Sequence, residues 1–402
     1  MKHVDIAIIG AGLAGTIAAI ALARRGRTVA LISPERSASD QRTTALMDQS
    51  IAYLERLGLW QAIRPSAAPL EVMQILDGTR RLLRAPPVAF RAGEIDLDAF
   101  GYNMPNAALL DTLTPVAEAE PNLTIISDSA ASIDIAADSV TVTLASGDVL
   151  TADFVVGADG RGSKTREAAG VTVHTWTYPQ TAVVLNFSHR LPHRNVSTEF
   201  HTDHGPFTQV PLPGDRSSLV WVVEPAEATR LISLSQAELA RAVETRMDAL
   251  LGAVEIEGAP QSWPLSGMGA KRYGKGRAAF IGEAAHAFPP IGAQGLNLSL
   301  RDVMALEELI GDTSAPISPD AGDRFDAKRR ADVWSRTASV DLLNRSLLSS
   351  FLPVQMLRAA GLHILASLPP LRHLVMQEGV APGFGFARIG KSLREKIRRK
   401  SA

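Results

Sequence analysis

The spacing of apolar positions changes twice within VDIAIIGAGLAGTIAAIALARRGRTVALIS, the stretch from Val4 to Ser33. A continuous apolar run reads as a buried strand, Gly10, Gly12 and Gly15 as a turn, the next apolar run as a helix, and VALIS as a second strand. Together they have the length of one βαβ unit. From Ser139, Val and Thr alternate, Ser146-Gly147-Asp148 marks a turn, and a returning strand followed by a further apolar strand runs into Asp159. That pattern predicts a β-hairpin feeding a buried strand. Between about Tyr178 and Trp263, TAVVLNFSH and SLVWVVEP read as strands set apart by proline and glycine turns, with a helical stretch near Gln236 to Leu251. After Asp302 the pattern is helical to the end, broken at SAPISPD and VAPGFGF. Ser37 to Gln41 and the prolines of RAPPVAF read as loops, and there is no internal repeat.

These patterns predict an α/β protein. A Rossmann-like nucleotide-binding domain is expected from 1–70, 96–175 and 272–330, an α+β substrate lobe with a mixed sheet from 71–95 and 176–271, and a C-terminal helical region with a basic tail from 331–402. A chain of 402 residues, 46% hydrophobic and 21% charged, has the size for two domains. The formal net charge of -1 supplies no global field for nucleic acid, so none is expected as a partner. The absence of cysteine excludes disulfides, thiolate nucleophiles and cysteine metal sites, and is compatible with a reducing cytoplasm. No HExxH or carboxylate–histidine spacing appears, and no metal is expected. Asp5 and the glycines argue against a signal peptide, and the apolar C-terminal region is cut by Arg345, Arg358 and Arg372, so no membrane span is expected.

In such a unit the first glycine permits the tight turn, the second lets the backbone approach a pyrophosphate, and the third lets helix and strand pack closely. Gly10, Gly12 and Gly15 fit these roles. An acid about 20 residues on would bind a ribose; Ser33 and Pro34 stand there, and Glu35 follows as either that ligand or a solvated loop carboxylate. Arg42 in DQRTTAL can hold a pyrophosphate or ribose oxygen in fixed geometry. Farther on, FIGEAAHAFPPIGAQGLNLSLRD places an acid, a double proline and small residues directly before a helix. Such a surface suits a ligand that must approach the backbone closely.

VVGADGRGSKTREAAGV, through Gly157, Ala158, Asp159, Gly160, Ser163 and Arg166, resembles the GADGxxSxxR fingerprint of class A flavoprotein aromatic hydroxylases, which have the para-hydroxybenzoate hydroxylase fold. The stretch containing Gly282, Ala284, Ala285, His286, Pro289, Pro290, Gly292, Gly295 and Asn297 resembles the same family's GDAAHxxPPxxGxGxN segment. QRTTALMDQSIAYLERLGLW, GYNMPNAALL, HGPFTQVPLPGDRSSLVW and GAQGLNLSLRDVMALEELI look most like the ubiquinone-biosynthesis hydroxylases. One departure is Glu283, where the family usually carries Asp.

The resemblance implies FAD, held by Gly10, Gly12, Gly15, Glu35, Arg42, Asn106, Asp159, Gly282, Glu283, Gly295, Leu296 and Asn297. Pro290, Gly292 and Gly295 have backbone roles at the flavin: free N–H groups at the helix start would stabilise negative charge near flavin N1. Asp159 reads as a cap of the next turn that also approaches the pyrophosphate, with Arg166 tying the local acids, or as a cap and surface ion pair only. His286 reads as a hydrogen-bonded structural histidine before it reads as a base. The resemblance further implies that NADH or NADPH reduces FAD, that dioxygen adds at flavin C4a, and that the hydroperoxide passes oxygen to a polyprenylated phenol. Phe200, Phe207, Val210 and Trp221 are candidate ring-lining residues, with plain core as the competing reading. The apolar C-terminal section and the basic end ARIGKSLREKIRRKSA suggest peripheral contact with the inner face of a membrane, and a place in a multi-enzyme ubiquinone-biosynthesis complex. A prenyl reductase or halogenase on the same fold is the alternative within this class, although the halogenase-type WxWxIP segment is absent. A non-catalytic FAD-binding subunit is the alternative outside it.

Overall fold

The computed structural model describes residues 2–35, 40–79, 87–202, 205–289, 294–348 and 376. Strand Lys2–Ile9 lies parallel between Val29–Ser33 and Val149–Gly157, with Ile6, Ala7 and Ile8 fully buried. Parallel strands covered on both faces read as unbroken apolar runs, which is how this one reads. Helix Leu13–Arg24 makes the crossover between the first two strands. It is buried from Gly15 to Ala23 and packs against helices Asn106–Glu118 and Gln294–Ile310, so it has almost no polar face.

Across this nucleotide sheet the order is Gly274–Lys275, Ala278–Phe280, Val149–Gly157, Lys2–Ile9, Val29–Ser33, Leu123–Ser127. Strands Ala130–Ile135 and Val140–Leu144 attach to it through Val149–Gly157. The hairpin expected around Ser146 is present, with Val140 opposite Ala152. Its returning strand and the buried strand are one element: alternating burial up to Asp153 gives way to full burial from Phe154 to Gly157 as the strand enters the sheet.

A second sheet runs His286–Ala287, Val254–Ala270, Val173–His189, Arg216–Val223, Pro206–Leu212, Val196–His201, Val72–Asp77, Val88–Arg91. It is antiparallel except where Val196–His201 lies beside Val72–Asp77. Helices Pro225–Ser233 and Gln236–Arg246 cover one face, where Leu185, Phe187, Leu219, Leu231, Leu239 and Val243 form a core. The second of these helices starts from a capping box between Ser235 and Glu238 and ends at Arg246, short of the expected Leu251. A small sheet of Thr43–Met47, Gly101–Pro105 and Ala68–Pro69 joins the two larger ones. Its Thr43 donates to Ser218 Oγ at 3.0 Å, and Asn103 Nδ2 donates to the Pro211 carbonyl at 2.8 Å. Helix Ala321–Leu348 follows, and Met376 is buried beside Ala92 and Phe100.

Gly15 sits where the first helix passes closest to its own strand, and a Cβ there would lie 1.9 Å from the Gly10 carbonyl oxygen. Gly15→Ala is expected to lose about 1–3 kcal/mol by forcing helix and turn apart; a melting temperature equal to wild type would contradict that packing.

Candidate functional site

Three fingerprints far apart in sequence meet because three parallel strands end side by side. Ile9 lies opposite Gly157, and Gly157 opposite Phe280. The Ala158 N–H donates to the Ile9 carbonyl at 2.8 Å and the Ile281 N–H to the Gly157 carbonyl at 2.9 Å, so the chain segments leave the sheet locked together. Gly10 has φ 105°, and a Cβ on it would meet the Ala158 carbonyl oxygen at 2.4 Å. Gly282, at φ 58°, comes within van der Waals reach of Ala14 in the first helix. The result is a crevice at the C-terminal ends of the strands, the place where open α/β sheets bind ligands.

The crevice fits a dinucleotide cofactor. A Cβ on Gly12, Gly160, Gly162 or Gly295 would meet nothing within 4 Å, so the backbone stands open on the ligand side. Helix Leu13–Arg24 starts at Gly12 without a side-chain cap and with no acid in its first turn, leaving its first N–H groups and positive end for an anion. Asp159 is turned inward as a cap: its Oδ2 accepts from Thr165 N and Oγ1, both at 3.1 Å, and its Oδ1 accepts from Ser163. Arg166 does not tie the acids as expected. It is buried and donates to the carbonyls of Ala284 and Arg161, bridging the second and third fingerprints.

At the mouth, Arg42 forms a two-pronged pair with Asp40, at 2.8 and 2.9 Å. Burial pushes the Asp40 carboxyl up, but the hydrogen bonds and charge of Arg42 outweigh it and hold the group below its ordinary value. Asn106 Nδ2 donates to Asp40 at 3.2 Å, while Asn106 Oδ1 accepts from Thr44. Glu283 stands half-exposed between Arg42 at 3.7 Å and Arg161 at 3.4 Å. Glu35 is exposed just beyond the end of the second strand. The Asn297 side chain is engaged by protein: Oδ1 accepts from Met47 N at 2.9 Å and Ser50 Oγ at 2.7 Å, and Nδ2 donates to the Ala45 carbonyl at 2.8 Å. Leu296 packs partly against the main core and Gly295 is exposed. Pro290 and Gly292 lie outside the described residues. Among the described residues no group of three or more His, Asp or Glu could hold a metal.

The lobe sheet presents its other face to this crevice. Asn186 Nδ2 donates to Gln41 at 3.1 Å, Ser218 meets Thr43, and the Arg42 guanidinium lies 5.6 Å from the centre of the Trp263 ring. Pairing in register then defines the face: Val184, Val220, Thr208 and Glu199 form one row, with Asn186, Ser218 and Val210 in the next. Side chains alternate along a strand, so neighbours one residue away point to the opposite side. Phe200, Phe207 and Trp221 are those neighbours. They are buried edge-to-face in the core under the two lobe helices and do not line the crevice face, so this part of the expected lining is corrected; of the four, Val210 alone lies on it. Sequence reading also missed Asp40, Arg161 and Trp263, although the acid two places before Arg42 was a usable signal.

With this geometry in view, comparison with known proteins is direct. A family model described as FAD binding domain matches residues 3–337. The chain belongs to the FAD binding domain family. Within the family, ubiquinone hydroxylase UbiL of Rhodospirillum rubrum is 32% identical, over 94% of this chain and 90% of its own length. The 3-demethoxyubiquinol 3-hydroxylase of Escherichia coli is 29% identical over 89% of this chain and 93% of its own. Among solved structures, p-nitrophenol 4-monooxygenase PnpA from Pseudomonas putida superposes with a TM-score of 0.78 at 20% identity, covering 94% of this chain and 98% of that one. That likeness shows a shared fold.

A buried charge network holds the third fingerprint from behind. Asp302 Oδ2 accepts from His286 Nε2 at 2.7 Å and from Gly282 N at 3.1 Å, and Oδ1 accepts from Arg329 Nε at 2.7 Å. His286 is thus the structural histidine expected. Burial pushes the Asp302 carboxyl up, but the charges of His286 and Arg329 and their hydrogen bonds win and hold it below 3.8. A depressed folded-state value means the stabilisation is fully present above the ordinary carboxylate range and is lost as pH falls through the folded value. The contribution of this carboxylate to stability is therefore expected to be lost only below about pH 4. Asp302→Asn, which removes the charge shared by His286 and Arg329 and leaves Arg329 with Asp332 as its carboxylate partner, is expected to cost about 2 kcal/mol at neutral pH and to flatten that acid limb. Urea melts of both proteins between pH 3 and pH 7 check this, and parallel curves would count against the network.

Proposed function

We propose that this protein is an FAD-dependent monooxygenase that hydroxylates the aromatic ring of a polyprenylated phenol in ubiquinone biosynthesis, with NADH or NADPH as reductant and dioxygen as oxygen source. The observation that carries the reading is the convergence of three glycine-rich fingerprints on one crevice, faced by one side of the lobe sheet, in a chain similar along most of its length to ubiquinone hydroxylases. When bound, FAD supplies electron transfer from the nicotinamide and activation of dioxygen for insertion of one oxygen atom into the ring.

The chain's own contribution is binding, orientation and charge. Gly10 and Gly12 with the first helix start receive the pyrophosphate, Gly15 keeps that helix close, and Glu35 takes the ribose of the adenosine half. Arg42, placed by Asp40 and Asn106, reaches the crevice from the side, and Asp159 shapes the loop beneath it. Gly282 brings the backbone close, and Glu283 accepts from a ribityl hydroxyl. At the start of helix Gln294–Ile310 the backbone N–H groups of Gly295, Leu296 and Asn297 would hold the pyrimidine edge of the isoalloxazine; the Asn297 side chain fixes that helix end against strand Thr43–Met47. Donors set in place before charge develops are worth more than donors that must reorganise. Pro290 and Gly292 keep the backbone roles the family resemblance implies.

Val184, Val210 and Val220 offer apolar surface for a ring, and Ile75, Met73 and Phe90 continue it toward the sheet edge opposite His286–Ala287, as a prenyl chain requires. Among the described residues no helix is long and apolar enough to cross a membrane. The basic C-terminal end lies outside the described residues; its charge supports contact with an anionic bilayer on the cytoplasmic side, each cation near the surface adding about 1 kcal/mol. Membership of a multi-enzyme complex would bring the same lipid-borne substrate within reach.

Gly12→Val is expected to leave the apoprotein folded, since a Cβ there meets no described atom within 4 Å, yet to abolish flavin retention by filling the pyrophosphate position. A yellow Gly12→Val protein with full flavin content would contradict the placement. Wild type supplied with NADH or NADPH, dioxygen and a polyprenylphenol should yield the ring-hydroxylated product by mass spectrometry; steady prenyl saturation instead would make it a reductase. Deletion after Gly390 should weaken sedimentation with anionic vesicles at low salt and leave the flavin spectrum unchanged. Equal sedimentation would remove the membrane contact.

A further inference from the structure

Asn186, Ser218 and Thr208 are polar positions on the crevice face of the lobe sheet, and one carboxylate–imidazole pair lies on it as well. Glu199 and His201, two residues apart on strand Val196–His201, project to the same side, and His201 Nε2 lies 2.8 Å from Glu199 Oε1. Thr208, directly across from Glu199, donates to Glu199 Oε2 at 3.3 Å. Around this pair stand Ile75 on one flanking strand and, beyond Thr208, Val220 and Val184. The imidazole is nearly buried, with 11% of its side chain exposed, and the carboxylate is more open at 29%. A carboxylate and an imidazole set among valines and isoleucine on a ligand face are costly to keep there without a task. The core does not need them: it lies on the other side of the sheet, where Phe200, the residue between them, is packed.

We propose that Glu199 and His201 are the proton-accepting pair of the ring pocket, taking the hydroxyl proton of the bound phenol; this rests on the reading of the site as a phenol hydroxylase. In the step, the phenolic O–H bond breaks and its electron pair stays on the ring oxygen. The proton goes to the pair, which passes from neutral imidazole with carboxylate to imidazolium with carboxylate. A phenolate is the more electron-rich ring, so the carbon beside the oxygen becomes the better acceptor of an oxygen atom. Glu199 fixes the imidazole by accepting from Nε2 and stabilises the cation that forms, while Thr208 orients the carboxylate. Strands in a sheet lie about 4.8 Å apart, so Glu199 is two strands, about 10 Å, from Val220, on the same side of the sheet. Asp77 is a further charged group on this side of the sheet: it stands in register beside His201, with Oδ1 accepting from Thr79 N at 2.9 Å and Oγ1 at 2.6 Å.

The test uses flavin-loaded full-length protein and a phenol carrying one isoprene unit. Without reductant, the phenolate absorbance of the bound ligand is titrated with pH. Wild type should ionise it about one pH unit or more below the free ligand. Glu199→Gln and His201→Gln should return the midpoint to the free value, and Glu199→Asp should restore most of the shift. With reductant and dioxygen, both Gln variants should lose about tenfold or more of ring hydroxylation at neutral pH and recover at alkaline pH, where the phenol ionises unaided. A ligand that ionises on the wild type as it does in water would overturn the proposal without recourse to any variant. So would Gln variants that keep flavin, midpoint and hydroxylation rate. A wild type that carries flavin and hydroxylates no prenylated phenol would overturn the functional reading beneath it.

Discussion

Backbone meeting backbone at the ends of three parallel strands is the constraint on which the rest depends. Gly10 leaves its strand against the Ala158 carbonyl, closer than any side chain would allow, and Ile281 hangs its amide on Gly157. Because these contacts involve main-chain atoms, they fix the three loops relative to each other with almost no freedom, and they explain why small residues recur at each. The same closeness leaves amide groups and bare Cα positions facing the ligand. Peptide dipoles are thereby fixed in place on the crevice wall, with the Arg42 and Glu283 side chains paired at its rim.

Behind that rigid front lies a layer that only a folded chain reveals. Asp302 is one of three acids in the amphipathic run NLSLRDVMALEEL, and nothing in its spacing pairs it with His286 or Arg329. It becomes central because helix Gln294–Ile310 packs under the third fingerprint and helix Ala321–Leu348 packs against that helix in turn. Two charges and an imidazole are buried there with nearly every lone pair of the carboxylate satisfied, the arrangement under which a buried ion pair persists. The flavin-side loop is thereby coupled to the C-terminal helix, far along the chain.

What the sequence disclosed and what it withheld follow from the range of the interactions involved. The βαβ unit, the hairpin about Ser146 and the glycine turns were legible because each is decided within a few residues. The three fingerprints identified the family for the same reason. The lining of the ring pocket was not legible, because it turns on parity. Phe200 and Glu199 are adjacent, and only the sheet's register with its neighbours tells which of them faces the crevice. Aromatic character pointed to Phe200, Phe207 and Trp221; burial under two helices was the stronger claim on all three. The join between Val149 and Gly157 was missed similarly, since a strand half in solvent and half in the core carries two patterns in one element.

Glu283 shows how a departure from a family pattern can be absorbed locally. The fingerprint that this stretch resembles has the shorter Asp here, whose carboxylate would sit one methylene nearer the backbone. Here the longer side chain extends outward between two guanidinium groups, at 3.7 Å from Arg42 and 3.4 Å from Arg161. Arg161 is itself anchored, donating to Ser266 Oγ at 2.7 Å on the lobe's longest edge-side strand, and Arg42 is anchored by Asp40. Neither ion pair is short, and half-exposed pairs of this kind contribute little to stability. Their effect is positional: two fixed cations draw the carboxylate to a defined point despite its extra rotatable bond. The substitution and Arg161 therefore belong together, because Glu without a second cation would leave the carboxylate free to swing away from the crevice.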